Sequence, residues 1–135
     1  ERLIFIKDIA TLNKNRDFNR LYSRGKSYVT SSLVLYVLKN RQKKVRIGIT
    51  TSKKIGNAVQ RNRARRVIRE SCRKIISNVK PGYDIVLVAR KKTSQVKCDV
   101  VLKSLTKMLG EANLLRKELE KIGKIYDEKI LYKNN

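Results

Sequence analysis

Arg61, Arg63, Arg65, Arg66, Arg69 and Arg73 follow one another at intervals of one to four residues, with Asn62 among them and Lys53-Lys54 just ahead. On a helix turning about 100° per residue, Asn62, Arg65, Arg66, Arg69 and Arg73 share one arc, Arg63 sits at its edge, and only Glu70 offsets them. Like charges four apart, such as Arg61 with Arg65 and Arg65 with Arg69, each cost about a few tenths of a kcal/mol in an isolated helix. A stripe of this kind therefore implies a compensating polyanion. Arginine's planar fork grips phosphate oxygens bidentately or stacks on a base, where an ammonium offers a point charge. The chemistry to expect is recognition of nucleic-acid phosphate.

Bond breaking by the chain itself is poorly supported. With no His in the sequence, a Ser/His/Asp triad, a Cys/His dyad, a His general base and any zinc site with a His ligand are excluded. The acids nearest the basic region, Asp17, Glu70 and Asp84, have no spacing that implies a shared metal. Thr50, Thr51 and Ser52 ahead of Lys53-Lys54 lack the glycines of a phosphate-binding loop and read as a strand end with a phosphate contact. Cys72 and Cys98 are too few for a four-thiolate zinc site or a disulfide scaffold, so packing as reduced thiols is their expected role. Nothing at the N-terminus resembles a signal peptide, and apolar runs such as Leu33 to Leu38 and Ile85 to Ala89 have strand length. A cytoplasmic location without a membrane span is expected.

The elements that position the basic residues must fit in 135 residues, 41% hydrophobic and 33% charged, with one Pro and six Gly. That composition suits one folded domain over 1–135, with 1–10 and roughly 120–135 as extensions. Thirty-four Lys and Arg against eleven Asp and Glu leave a formal charge of +23. Between Phe18 and Tyr83, eighteen Lys and Arg meet a single acid, so +17 of that charge lies in the middle of the chain. The last third mixes signs, as ordinary solvated helices do.

Asn15 can cap a first helix on which Phe18, Leu21 and Tyr22 share a face and which Gly25 ends. Ser32–Leu38 and Lys44–Thr51 read as strands joined by a short charged loop, which predicts an antiparallel hairpin. Tyr83–Ala89, opened by Pro81-Gly82, is apolar enough to be buried on both faces. Gly56-Asn57 supplies a loop and an N-cap for the arginine helix, whose Ala64, Val67, Ile68, Ser71, Cys72, Ile75 and Ile76 form the face that packs on the sheet. A last helix is predicted from about Gln95 to about Lys121, on Val101, Leu105, Met108, Ala112, Leu115, Leu119 and Ile122.

Of eight aromatic residues, Phe18 and Tyr22 lie one turn apart on the first helix. Tyr36 has parity opposite to Leu35 and Val37 on its strand, so the three can line one groove between helix and sheet. Aromatic faces beside cations make a channel for single-stranded nucleic acid; packing in the core is the alternative, weighed evenly for Phe18.

The run Ser52-Lys53-Lys54-Ile55-Gly56-Asn57-Ala58-Val59-Gln60-Arg61-Asn62-Arg63-Ala64-Arg65-Arg66-Val67-Ile68-Arg69-Glu70 closely resembles the signature of the bacterial ribonuclease P protein family. The likeness extends to Asn15-Arg16-Asp17-Phe18, Gly25-Lys26, Val34-Leu35-Tyr36 and Tyr83-Asp84-Ile85-Val86-Leu87-Val88-Ala89-Arg90. It implies a cytoplasmic accessory protein that joins a large catalytic RNA to remove the 5′ leader of precursor tRNA. The RNA performs the hydrolysis with bound magnesium ions, and the protein itself contributes no catalytic residue and binds no cofactor or metal. By position, the resemblance assigns catalytic-RNA binding to Lys53, Lys54, Arg61, Asn62, Arg63, Arg65, Arg66 and Arg69. A leader cleft falls on Phe18, Tyr22, Tyr36 and Thr50, with Tyr22 where such proteins often carry Phe. The catalytic RNA and precursor tRNA are the implied partners, with no obligate protein partner. The implied fold is α+β, an α/β sandwich of order αβββαβα whose left-handed βαβ crossover rests on the resemblance alone, because crossovers are right-handed in about 98% of cases. Two rivals share the charge: an RNA-scaffolding protein such as a ribosomal one, which needs no single-strand groove, and a nuclease in its own right.

Overall fold

In the computed structural model, which describes residues 9–116, the chain runs β1 (Ile9–Thr11), α1 (Asn15–Arg24), β2 (Lys26–Val29), β3 (Leu33–Lys39), β4 (Val45–Thr50), α2 (Ala58–Ile75), β5 (Tyr83–Ala89) and α3 (Cys98–Glu111). Short 3₁₀ turns occupy Lys53–Ile55, Ile76–Asn78 and Lys91–Gln95. After β1, the order is the αβββαβα expected. The short strands β1 and β2 were not legible as strands; each is an edge, with little burial to pattern its sequence.

The five strands form one mixed sheet in the order β1-β4-β5-β3-β2. The expected hairpin between the two Val- and Leu-rich strands is overturned: β3 and β4 do not pair. β5 lies between them, antiparallel to β3 and parallel to β4. The physical reason is the composition of β5, whose near-continuous apolar run is satisfied only at the centre of the sheet, where Ile85, Val86 and Leu87 are all buried. The charged loop after β3 straddles the head of β5 instead of closing a hairpin: Asn40 N–H donates to Gly82 O at 2.8 Å and Gly82 N–H to Lys44 O at 2.9 Å. The antiparallel hairpin that does form is β2 with β3.

Strand alternation divides the sheet into two faces. Leu33, Leu35 and Val37, Val45, Ile47 and Ile49, and Ile85, Leu87 and Ala89 meet α2 and α3 in the larger core. Tyr36, Leu38, Val86 and Val88 point the other way, toward Leu12, Phe18 and Leu21 in a smaller core under α1. The three described helices thus cover two faces, two on the first and one on the second.

The helix ends differ from expectation in instructive ways. Lys14, not Asn15, is the N-cap of α1, and it makes no side-chain cap; Asp17 in the first turn supplies the negative charge that a helix N-terminus favours. Gly25 follows α1 with its N–H bonded to Leu21 O at 2.8 Å, and a Cβ there would stand 2.5 Å from that oxygen. Asn57 caps α2 as predicted, within a full capping box: its side chain accepts from Gln60 N–H and Gln60 Oε1 accepts from Asn57 N–H. Gly56, at φ +142°, holds a backbone conformation that side-chain-bearing residues adopt only with strain, and a Cβ there would displace Gln60 Oε1, 1.8 Å away, from the capping box. The last helix is shorter than its heptad-like pattern suggests. It ends at Glu111, and Asn113 at φ +58° turns the chain so that Leu115 is buried from an extended bridge to Val79 rather than from a helix. Leu119 and Ile122 lie outside the described residues. No described helix is long and apolar enough to cross a membrane.

Both cysteines are free thiols. Cys72 is buried against the larger core, where burial, aided by the nearby Cys98, pushes its thiol up to about 12. Such a thiol is inert at neutral pH.

Candidate nucleic-acid interface

The sheet register sets out the floor beside α1 in rows. Leu38, Asp84 and Arg46 are neighbours across β3, β5 and β4, followed by Tyr36, Val86 and Gly48, then Val34, Val88 and Thr50. The middle row lies under α1. Phe18 packs on Gly48, where a Cβ would fall 2.7 Å from the ring, and Leu21 is fully buried beside Val86. Tyr22 stands edge-on to Tyr36, with ring centroids 5.0 Å apart, and 6.5 Å from Phe18. The three predicted aromatics therefore form one connected ladder at the helix–sheet junction. Tyr22 is 42% exposed, while Phe18 and Tyr36 are half-buried. Phe18 packs with the smaller core and stays half-buried at its edge.

Thr50 lies at the end of the third row, half-buried, on the same sheet face as Tyr36. That row, Val34, Val88 and Thr50, continues the ladder as a partly open apolar floor. Replacing Gly48 by Val is expected to cost about 1 to 3 kcal/mol through overpacking against Phe18 and to lift that ring from the floor. Thermal denaturation and the near-ultraviolet circular dichroism of the aromatics report the two effects.

Beyond Thr50 the chain turns round the end of the sheet into the cationic surface. Thr51 Oγ1 accepts from Arg65 Nη2 at 2.8 Å, which ties the end of β4 to α2. Lys53 and Lys54 project from the intervening 3₁₀ turn and are exposed. The arginines of α2 divide into two groups. Arg61 Nη1 donates to Gly56 O at 2.8 Å, Arg63 Nε to Ser94 O at 2.9 Å, and Arg65 also to Asn62 Oδ1 at 3.2 Å. Arg66 and Arg69 are exposed and make no side-chain hydrogen bond or ion pair with the described residues. Glu70 is engaged by Arg73, one turn on at the C-terminal end of the stripe, so the one acid of the helix leaves Arg66 and Arg69 without an ion pair among the described residues.

The residues that sequence reasoning missed sit in the first row. Asp84 is fully buried, and its carboxylate accepts from Arg46 Nε at 2.7 Å and Nη2 at 2.6 Å, Arg20 Nη2 at 2.7 Å and Asn40 Nδ2 at 2.8 Å. Burial alone would push this carboxyl up; the bonds from Arg46 and Asn40 and the charges of Arg46 and Arg20 outweigh it and hold the group below its ordinary value. A signal was available, since an acid inside an apolar strand requires a buried partner. Arg90, next along β5 after Ala89, is a second omission. It is exposed at the end of the floor, and its Nη1 donates to Thr30 O at 2.8 Å.

Among the described residues no three His, Cys, Asp or Glu side chains gather as metal ligands would. What the arrangement offers is a partly exposed aromatic ladder and a guanidinium surface on opposite faces of one sheet, joined round the end of β4.

A family model described as Ribonuclease P matches residues 6–113. The chain is 47% identical over 111 residues to the ribonuclease P protein component of Clostridium novyi, covering 81% of this chain and 98% of that protein. It is 40% identical over 111 residues to that of Pelotomaculum thermopropionicum, covering 82% and 99%. Among solved structures, the RNase P protein of Staphylococcus aureus superposes with a TM-score of 0.70 at 34% identity, covering 78% of this chain and 97% of the other. That of Thermotoga maritima superposes with a TM-score of 0.66 at 33% identity, covering 73% and 94%.

Proposed function

The chain belongs to the ribonuclease P protein family, the protein component of a tRNA-processing enzyme, and from that premise we propose that it holds two RNAs at once. The exposed face of α2 with Lys53 and Lys54 binds the catalytic RNA of the ribonucleoprotein. The trough of Phe18, Tyr22, Tyr36 and Thr50 receives the single-stranded 5′ leader of precursor tRNA. The protein is then one RNA-binding domain with no catalytic residue of its own, and cleavage belongs to the RNA with its magnesium ions. Its contribution is to lower the repulsion between two polyanions, which raises substrate affinity and the occupancy of those ions.

The observation that carries this reading is the ladder. A scaffolding protein needs the cations but has no use for three linked aromatics on a half-open floor next to them. Stacking is sequence-tolerant and worth about 1 to 3 kcal/mol per base, which suits a leader of variable sequence.

The test is reconstitution with the catalytic RNA of the same organism, followed by cleavage at low magnesium and by competition between precursor and mature tRNA. Precursor tRNA should bind the assembly more tightly than mature tRNA, and Tyr36→Ala should erase about 1 to 3 kcal/mol of that advantage. Equal binding of the two tRNAs would return the protein to the scaffold class. Cleavage at the leader junction by the protein alone would make it the nuclease.

A further inference from the structure

Helix α1 carries two of the three trough aromatics yet is held to the sheet by few buried contacts: Leu12, Leu21 and Val86 form that core, against twenty buried residues on the opposite face. Apolar contact is non-directional, so this small core resists lift-off more than it resists rolling or sliding. A directional tie is present. Arg20 lies between Phe18 and Tyr22 in the sequence, and its Nη2 donates to Asp84 Oδ2 at 2.7 Å, with Asp17 Oδ1 of the same helix 3.4 Å away. The carboxylate it reaches is itself immobilised by both arms of Arg46 and by Asn40. Its row adjoins the one on which Phe18 and Tyr36 sit.

We propose that Arg20 is a positioning residue for the leader trough: anchored on Asp84, it fixes the roll of α1 and so the edge-on stance of Tyr22 against Tyr36, the aromatic surface on which a base stacks. Charge-assisted bonds are short and oriented, which is what holding one ring edge-on to another requires. Asp84 does not depend on Arg20 for its neutralisation, because Arg46 already engages both oxygens. Removing Arg20 therefore leaves Asp84 paired, while Asp17 loses a 3.4 Å ion pair but keeps the favourable N-terminal end of its own helix. The inference rests on the reading of the trough as the leader's site.

The experiment uses the full chain reconstituted with its catalytic RNA, and compares Arg20→Ala, Arg20→Lys, Tyr22→Ala and the Arg20→Ala/Tyr22→Ala double variant with the wild type. Affinities for precursor and mature tRNA are measured over a range of salt concentrations, and each protein is melted. Arg20→Ala should keep its melting transition and its affinity for the catalytic RNA. The precursor-over-mature ratio should fall by about tenfold, the size of one lost stack, with the salt slope unchanged. In the Tyr22→Ala background the same change should cost little more, and Lys should restore part of the ratio. A salt slope smaller by about 1 would instead make Arg20 a phosphate contact and overturn the proposal. An unchanged ratio, or loss of the folded transition in both Arg20 variants, overturns it as well. A wild type that shows no ratio at all removes the trough reading, and this inference falls with it.

Discussion

Asp84→Asn is expected to cost about 3 to 5 kcal/mol of folding stability, read as a lower urea midpoint at unchanged slope. The carboxylate is fully buried and receives four donated bonds. An amide keeps one acceptor oxygen, turns an NH₂ toward guanidinium donors, and leaves Arg46 without its counter-charge. The pH dependence follows from the depressed pKa. The unfolded carboxyl titrates near about 3.9, so the stabilisation is fully present above that pH and is lost as pH falls through the still lower folded value. The gap between wild type and variant should therefore be wide near neutrality and close in strong acid. A gap of the same size at both ends would mean that shape, not charge, is what Asn fails to supply.

Arg66→Ala combined with Arg69→Ala is expected to weaken binding to the catalytic RNA by about a hundredfold or more while leaving the melting temperature within about a degree or two. Each guanidinium bonded to phosphate contributes about 1.5 to 3 kcal/mol, and neither side chain is engaged by the described residues. The log-log salt slope should shrink by about 2, one unit for each lost phosphate contact. The contrast is Arg63→Ala, which also removes the tie from α2 to Ser94 O and should therefore lower stability and affinity together. Unchanged affinity in the double variant would move the RNA to another face of the molecule.

How much of this was legible in the sequence depends on whether the cause was local. The cap at Asn57, the arginine arc and the buried face of α2 are written in residues within a few turns of one another, and the helix appears where they place it. The parity of Tyr36 on its strand likewise put it on the α1 side of the sheet. What failed was pairing. Leu33–Lys39 and Val45–Thr50 look like hairpin partners because they are neighbours in the chain; the competitor for both edges, Tyr83–Ala89, arrives an entire helix later, and its two-sided apolar run is the one local sign of a central seat. The Asp84 cluster was missed for the same reason, since its members Arg20, Asn40, Arg46 and Asp84 come from four separate segments. The end of the last helix escaped because Leu115 keeps the helical spacing of apolar residues after the backbone has turned at Asn113.

The central seat of β5 also sets an order of events during synthesis. β3 and β4 leave the ribosome with a vacant slot between them that only Tyr83–Ala89 can fill. At about 5 to 20 residues per second, both inner edges wait about a few seconds for that strand, open to pairing with any other nascent chain. The platform under the cationic helix thus closes after the helix itself has been made, and a chain interrupted before Ala89 would carry the whole arginine stripe with no sheet to display it.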